Sequence, residues 1–155
     1  MRYSSLRLLN HQGETASLIP MGEGIAVELA FQLNGPRVDF PQFIVLLATA
    51  TGVRITRLAS DLTHGALPAV TGHGRIRLIV DRLNLLPGVY TLSLVLRNMK
   101  EVLDQIPDAA SFEIVPAPVY PTGKLPRSTR HLHFYPCEWQ VDYVVDDNSA
   151  AGAGD

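Results

Sequence analysis

An all-β, antiparallel β-sandwich of the jelly-roll or immunoglobulin-like kind is the fold this sequence predicts, and three observations carry the prediction. Apolar and polar residues alternate with a period of two over much of the chain, Gly and Pro cut the alternation into short pieces, and no ten-residue stretch has a helical period. At 155 residues, 46% hydrophobic and 18% charged, the chain is long enough to bury a core of its own. Thirteen basic against fifteen acidic residues give a net charge of −2, so no global basic field exists to hold a nucleic acid. A single cysteine, Cys137, excludes intramolecular disulfides.

The elements follow in chain order. Tyr3–Leu9 is a short first candidate. Ile25, Val27, Leu29, Phe31 and Leu33 alternate with Ala26, Glu28, Ala30, Gln32 and Asn34, and Gly35-Pro36 ends the run. Phe43–Thr49 and Arg54–Ala59 flank Thr51-Gly52, which reads as a hairpin turn. Ile76, Leu78 and Val80 alternate with Arg75, Arg77, Ile79 and Asp81. Pro87-Gly88 introduces Tyr90, Leu92, Leu94 and Leu96, which alternate with Thr91, Ser93, Val95 and Arg97. Asn98–Gln105 reads as a helical turn or, equally, as a hairpin loop. Ala110–Val115 completes the first seven strands. Residues 116–130 carry Pro116, Pro118, Pro121 and Pro126, so an extended connector is expected there. His131–Tyr135 and Trp139–Val145 form a further strand pair, which packs on its own sheet or reaches a neighbour's. The domain thus spans 1–145, and the small, polar, acidic tail 146–155 is expected to be disordered.

Enzymatic signatures are missing. There is no phosphate-cradling G-x-x-x-x-G-K-[ST], no G-x-S-x-G elbow, and Gly72-His73-Gly74 lacks the third glycine of a dinucleotide loop. His131-Leu132-His133 has the spacing of two metal ligands on one strand face, but the ordinary reading is two polar residues opposite Leu132 and Phe134. The expectation is therefore neither an enzyme nor a cofactor- or metal-dependent protein. The polar faces of the strands say more. Gln32, Ser93, Arg97, His131, His133, Tyr135 and Trp139 offer amide, hydroxyl, guanidinium, imidazole and aromatic groups. Sugars present hydroxyls for hydrogen bonding and apolar C–H faces for stacking, so such a set suits a carbohydrate. Trp139 alternates with Val141 and Tyr143 and reads equally as core.

An ordered series of motifs adds a family. Gly22-Glu23-Gly24 opens a strand, Pro41-Gln42-Phe43 enters the next, and Leu83-Asn84-Leu85-Leu86-Pro87-Gly88-Val89-Tyr90 precedes a core strand. Leu103-Asp104 and Ala110–Val115 close the series. This order resembles the C-terminal carbohydrate-binding domain of O-antigen polysaccharide-export ABC transporters of the Wzt type, over roughly residues 3–145. The resemblance implies a non-catalytic module of lipopolysaccharide biosynthesis that binds the finished end of a lipid-linked O-polysaccharide. The binding would precede export, on the cytoplasmic side at the inner face of the inner membrane. It implies the transporter's ATPase and membrane subunits as partners, and a homodimer formed by C-terminal strand exchange. The family's ATPase domain is absent, so an excised domain or a separate polypeptide is expected. MRYSSLRLLN carries no apolar run of signal-peptide length, and the longest apolar run, Phe43–Ala48, is far short of the ~20 residues of a membrane span, which suits a cytoplasmic domain. The rival reading is a structural or protein-interaction sandwich with no sugar ligand.

Overall fold

The computed structural model describes residues 1–126 and 131–142. Eight strands build two packed sheets: β1 (Arg2–Asn10), β2 (Leu18–Pro20), β3 (Ile25–Gln32), β4 (Gln42–Thr49), β5 (Arg54–Ala59), β6 (His73–Val80), β7 (Gly88–Arg97) and β8 (Val102–Val115). One helical turn, α1 (Ser60–Thr63), interrupts them after β5. The small sheet has the order β1-β3-β6 and the large one β2-β8-β7-β4-β5. All pairings are antiparallel except β2 with β8. Of the two sandwich types expected, this is the immunoglobulin-like one: β5-β4-β7-β8 follows the C′-C-F-G order and β1-β3-β6 the A-B-E order. No helix among the described residues is long and apolar enough to cross a membrane.

Alternation decides which face turns inward. On β3, Ile25, Val27, Leu29 and Phe31 are buried while their neighbours stand outside. On β7, Tyr90, Leu92, Leu94 and Leu96 do the same. Most of these two inner faces, with Val45 and Leu47 of β4 and Phe112 and Ile114 of β8, form the main core, while Phe31 and Leu96 join Phe43 in a smaller cluster. Two constraints tie the sheets together, and a third holds β3 close to β6 within the small one. Tyr90 donates its hydroxyl to the carbonyl of Leu86 at 2.6 Å, a tyrosine corner that fixes the crossing from β6 to β7. That contact explains why Leu83–Tyr90 reads as a motif. Tyr3 of β1 reaches across to donate to the carbonyl of Val95 at 3.0 Å. Gly24 lets the chain pass so close to β6 that a Cβ would overlap the carbonyl oxygens of Val80 and Asp81.

Several details differ from the sequence reading. Leu18–Pro20 escapes it because a three-residue strand ending in Pro leaves no alternation to count, yet Ile19 is fully buried beside β8. β8 begins at Val102 rather than Ala110, because a bulge around Pro107 and Asp108 breaks the period. Asn98–Glu101 is the hairpin loop, with the Asn98 side chain accepting from Lys100 and Glu101. His131–Tyr135 is not a strand: it makes one bridge, His133 with Leu85, flanked by backbone bonds from the Leu86 N–H to the Leu132 carbonyl and from the Phe134 N–H to the Asn84 carbonyl. Its alternation survives, with Phe134 buried and His131, His133 and Tyr135 exposed. Trp139, 90% exposed, is not core, and residues 139–142 form no strand. The end of the connector (127–130), the end of the last expected strand (143–145) and the tail (146–155) lie outside the described residues.

Replacing Leu94, 1% exposed, by Ala is expected to cost about 2–5 kcal/mol in denaturant unfolding. Tyr90→Phe keeps the ring against Phe112 but strands the Leu86 carbonyl, and is expected to cost about 1–3 kcal/mol. A Tyr90→Phe midpoint equal to wild type would remove the corner from the account.

Candidate functional site

The outer face of the small sheet is the surface where chemistry concentrates. Strand pairing sets it out in four rows: Arg2, Gln32 and His73; Ser5, Ala30 and Arg75; Arg7, Glu28 and Arg77; Leu9, Ala26 and Ile79. Neighbours within a row stand about 4.8 Å apart and rows about 7 Å apart, so the face is flat and about 20 Å long. The middle column, Gln32-Ala30-Glu28-Ala26, alternates long polar side chains with alanine. A shallow depression of about 70 Å³ opens over Ala30, walled by Ser5, Arg7, Glu28 and Arg75.

Glu28 organises the middle of this face. Arg7 donates to its Oε1 at 3.3 Å and Arg77 to its Oε2 at 3.0 Å, one guanidinium on each carboxylate oxygen. The Arg77 hydrogen bond, with the charges of Arg77, Arg7 and Arg75, holds the Glu28 carboxyl below its ordinary value of 4.5 against a smaller opposing effect of burial. Arg2 and Arg75 have no ion pair among the described residues.

Concavities of about 250 Å³ and about 410 Å³ lie at the Ile79 end of this face and beside residues 68–73, and two others flank the sandwich. One, about 270 Å³, is an apolar opening between the β5 and β6 edges, over Leu58 and Ile76 and below His64. The other, about 710 Å³, lies where the 33–40 and 98–101 loops meet, with Phe40 half exposed at φ 52° beside the Arg37–Asp39 ion pair. Among the described residues, no three His, Cys, Asp or Glu side chains are grouped as metal ligands.

The seven residues expected to read a sugar fall in three places. Gln32 stands on the face just described. Ser93 and Arg97 lie on the outer face of the large sheet, across the thickness of the sandwich from Gln32. There the Ser93 hydroxyl is engaged by the Asp108 N–H at 2.9 Å, and Arg97 donates to the Asn98 carbonyl at 3.3 Å. His131, His133, Tyr135 and Trp139 belong to the C-terminal segment, all exposed. The structure does not bring these groups into one site. Sequence reasoning missed Arg2, Ser5, Arg7, Arg75 and Arg77. Arg75-x-Arg77 was visible as one strand face, but its meeting with Arg7 depends on β1 and β6 both pairing with β3.

The family model for the Wzt C-terminal domain matches residues 2–126. The chain belongs to the Wzt C-terminal domain family. A solved structure, the crystal structure of the C-terminal domain of Wzt, superposes with a TM-score of 0.72 over 89% of this chain and 81% of that one. Sequence identity is 11%, so that likeness speaks for the fold. Comparison with curated proteins finds no match. Membership makes the chain a Wzt-type export-transporter domain. In this Wzt-type domain the match ends at residue 126, so the segment with His131, His133, Tyr135 and Trp139 lies beyond it.

The Glu28 ion pairs generate a prediction. In a carboxyl-detected NMR titration Glu28 is expected to titrate below the ordinary glutamate range, and Arg77→Ala to move it back up. Because the folded value is lowered, the stabilisation is fully present above the unfolded value and is lost as pH falls through the folded one. A Glu28 titration unchanged by Arg77→Ala would break the assignment.

Proposed function

We propose that this domain binds an O-antigen polysaccharide without reacting it, as the recognition module of an export ABC transporter, and that the outer face of β1-β3-β6 reads the sugar. The observation that carries the reading is the composition of that face in a chain of this family. Guanidinium, amide, hydroxyl and carboxylate groups stand around Ala30, so a sugar ring can lie flat over it and meet donors and acceptors on both sides. Gln32 contributes the amide. The ligand in this reading is a lipid-linked polysaccharide presented at the cytoplasmic face of the inner membrane, and the partners are the transporter's ATPase and membrane subunits.

Filling the floor tests the face. Calorimetric titration with polysaccharide from the strain that encodes the chain is expected to show binding. Ala30→Trp is expected to weaken it by about tenfold or more with little change in melting temperature, because position 30 points outward. Absence of binding by the unaltered domain would overturn the reading in favour of a protein-interaction sandwich.

The C-terminal segment supports the second part of the proposal, a homodimer made by exchange of that segment. Tyr135, Trp139 and Val141 are 73%, 90% and 62% exposed, an apolar set with no cover among the described residues. A partner protomer would supply the cover. Light scattering is expected to give a dimer for the unaltered chain and a monomer for Trp139→Asp; a monomeric unaltered chain would refute the exchange.

A further inference from the structure

The small-sheet face carries far more charge than a neutral sugar requires. Four of the chain's eleven arginines stand on it, against one carboxylate, Glu28. With His73 neutral the face has a surplus of three positive charges, while the whole chain is at −2. The rest of the molecule is therefore five negative, and the near-neutral total conceals a strongly divided surface. The division has a cost. Arg75 and Arg77 are two residues apart on one strand, about 7 Å along it, so their like charges repel on one face. Glu28 offsets Arg7 and Arg77, one oxygen to each, and has no third oxygen for Arg75.

The type of cation narrows the chemistry. Arginine presents a planar fork that matches a carboxylate or a phosphate with two parallel hydrogen bonds, whereas lysine is a point charge. All four cations on the face are arginines. Arg75 borders the depression over Ala30, facing the Ser5 hydroxyl across it in the same row, with Arg7 and Glu28 in the next row. The small floor, one guanidinium without an ion pair and one hydroxyl make a place for a single anionic group.

We propose that the saccharide bound on this face is acidic, and that its carboxylate or phosphate sits over Ala30, held by Arg75 and Ser5 with Arg7 alongside. The proposal rests on the glycan reading above and names the chemical class that reading leaves open. An anionic bilayer would also answer the charge, but peripheral membrane binding draws on apolar side chains beside the basic cluster. The basic rows of this face carry none; Ile79 stands a row beyond, at the end of the face.

The test uses the full chain and polysaccharide from the encoding strain in three forms: native, carboxyl-reduced with carbodiimide and borohydride, and dephosphorylated with aqueous hydrogen fluoride. Calorimetry is expected to show binding of the native form that weakens as salt rises, and a loss of about 10–100-fold in one treated form. Loss on carboxyl reduction assigns the anion as a carboxylate, and loss on dephosphorylation as a phosphate. Arg75→Gln is expected to weaken the native form by about tenfold and to leave the weakened form unchanged, with the melting temperature kept. Equal binding of all three forms, or native binding indifferent to Arg75→Gln, would overturn the acidic assignment and leave the glycan reading standing. No binding of any form overturns both. Binding to phosphatidylglycerol vesicles in place of polysaccharide would make this a membrane face.

Discussion

The side-chain period of two, held in register by burial, is the constraint on which both the core and the candidate site depend. A slip of one residue between β3 and either neighbour would turn Val27, Leu29 and Phe31 toward water. Burial of those side chains therefore fixes the opposite face with the same precision. Arg7, Glu28 and Arg77 meet in one row because Leu8, Val27 and Leu78 meet in the next, on the other side of the sheet. The core registers the site.

The same constraint explains what could be read along the chain and what could not. β3, β6 and β7 were visible because each is one uninterrupted alternation, and β4 and β5 because an apolar run and a short segment flank the Thr51-Gly52 turn. β2 was invisible for the opposite reason: three residues cannot show a period, and its place is set by the burial of Ile19 and its parallel pairing with β8. β8 was seen only in its second half, since Pro107 and Asp108 bulge outward and shift the pattern. His131–Tyr135 has the alternation of a strand but only one bridge to fix it, with Phe134 inserted toward Tyr120 and Arg82. Period reports which side chains face inward. It does not report whether a neighbouring strand is there.

The candidate site was legible only as fragments. Gln32 was singled out for its amide, and Arg75 and Arg77 were seen as polar positions of a strand. Nothing in the order of residues places β1 and β6 on either side of β3, because β1 and β6 are separated by sixty residues and four other strands. Total charge misled for a related reason. It sums over all faces, so a near-neutral chain gives no sign that four of its arginines gather on one sheet.

Edge protection is the rival explanation for those arginines, since β1 and β6 are the two outer strands of the small sheet and charged side chains discourage edge-to-edge pairing. It accounts for charge at the edges but not for the type of cation. Alternating acids and bases would protect the same edges while attracting one another across β3. Here both edges carry arginine, and the one acid stands in the central strand. Edge protection also favours lysine, which is absent from the face. A surface that sustains like-charge repulsion in one sign, with one fork type and a small floor between, is better explained by an anion that arrives than by a strand that must be kept away.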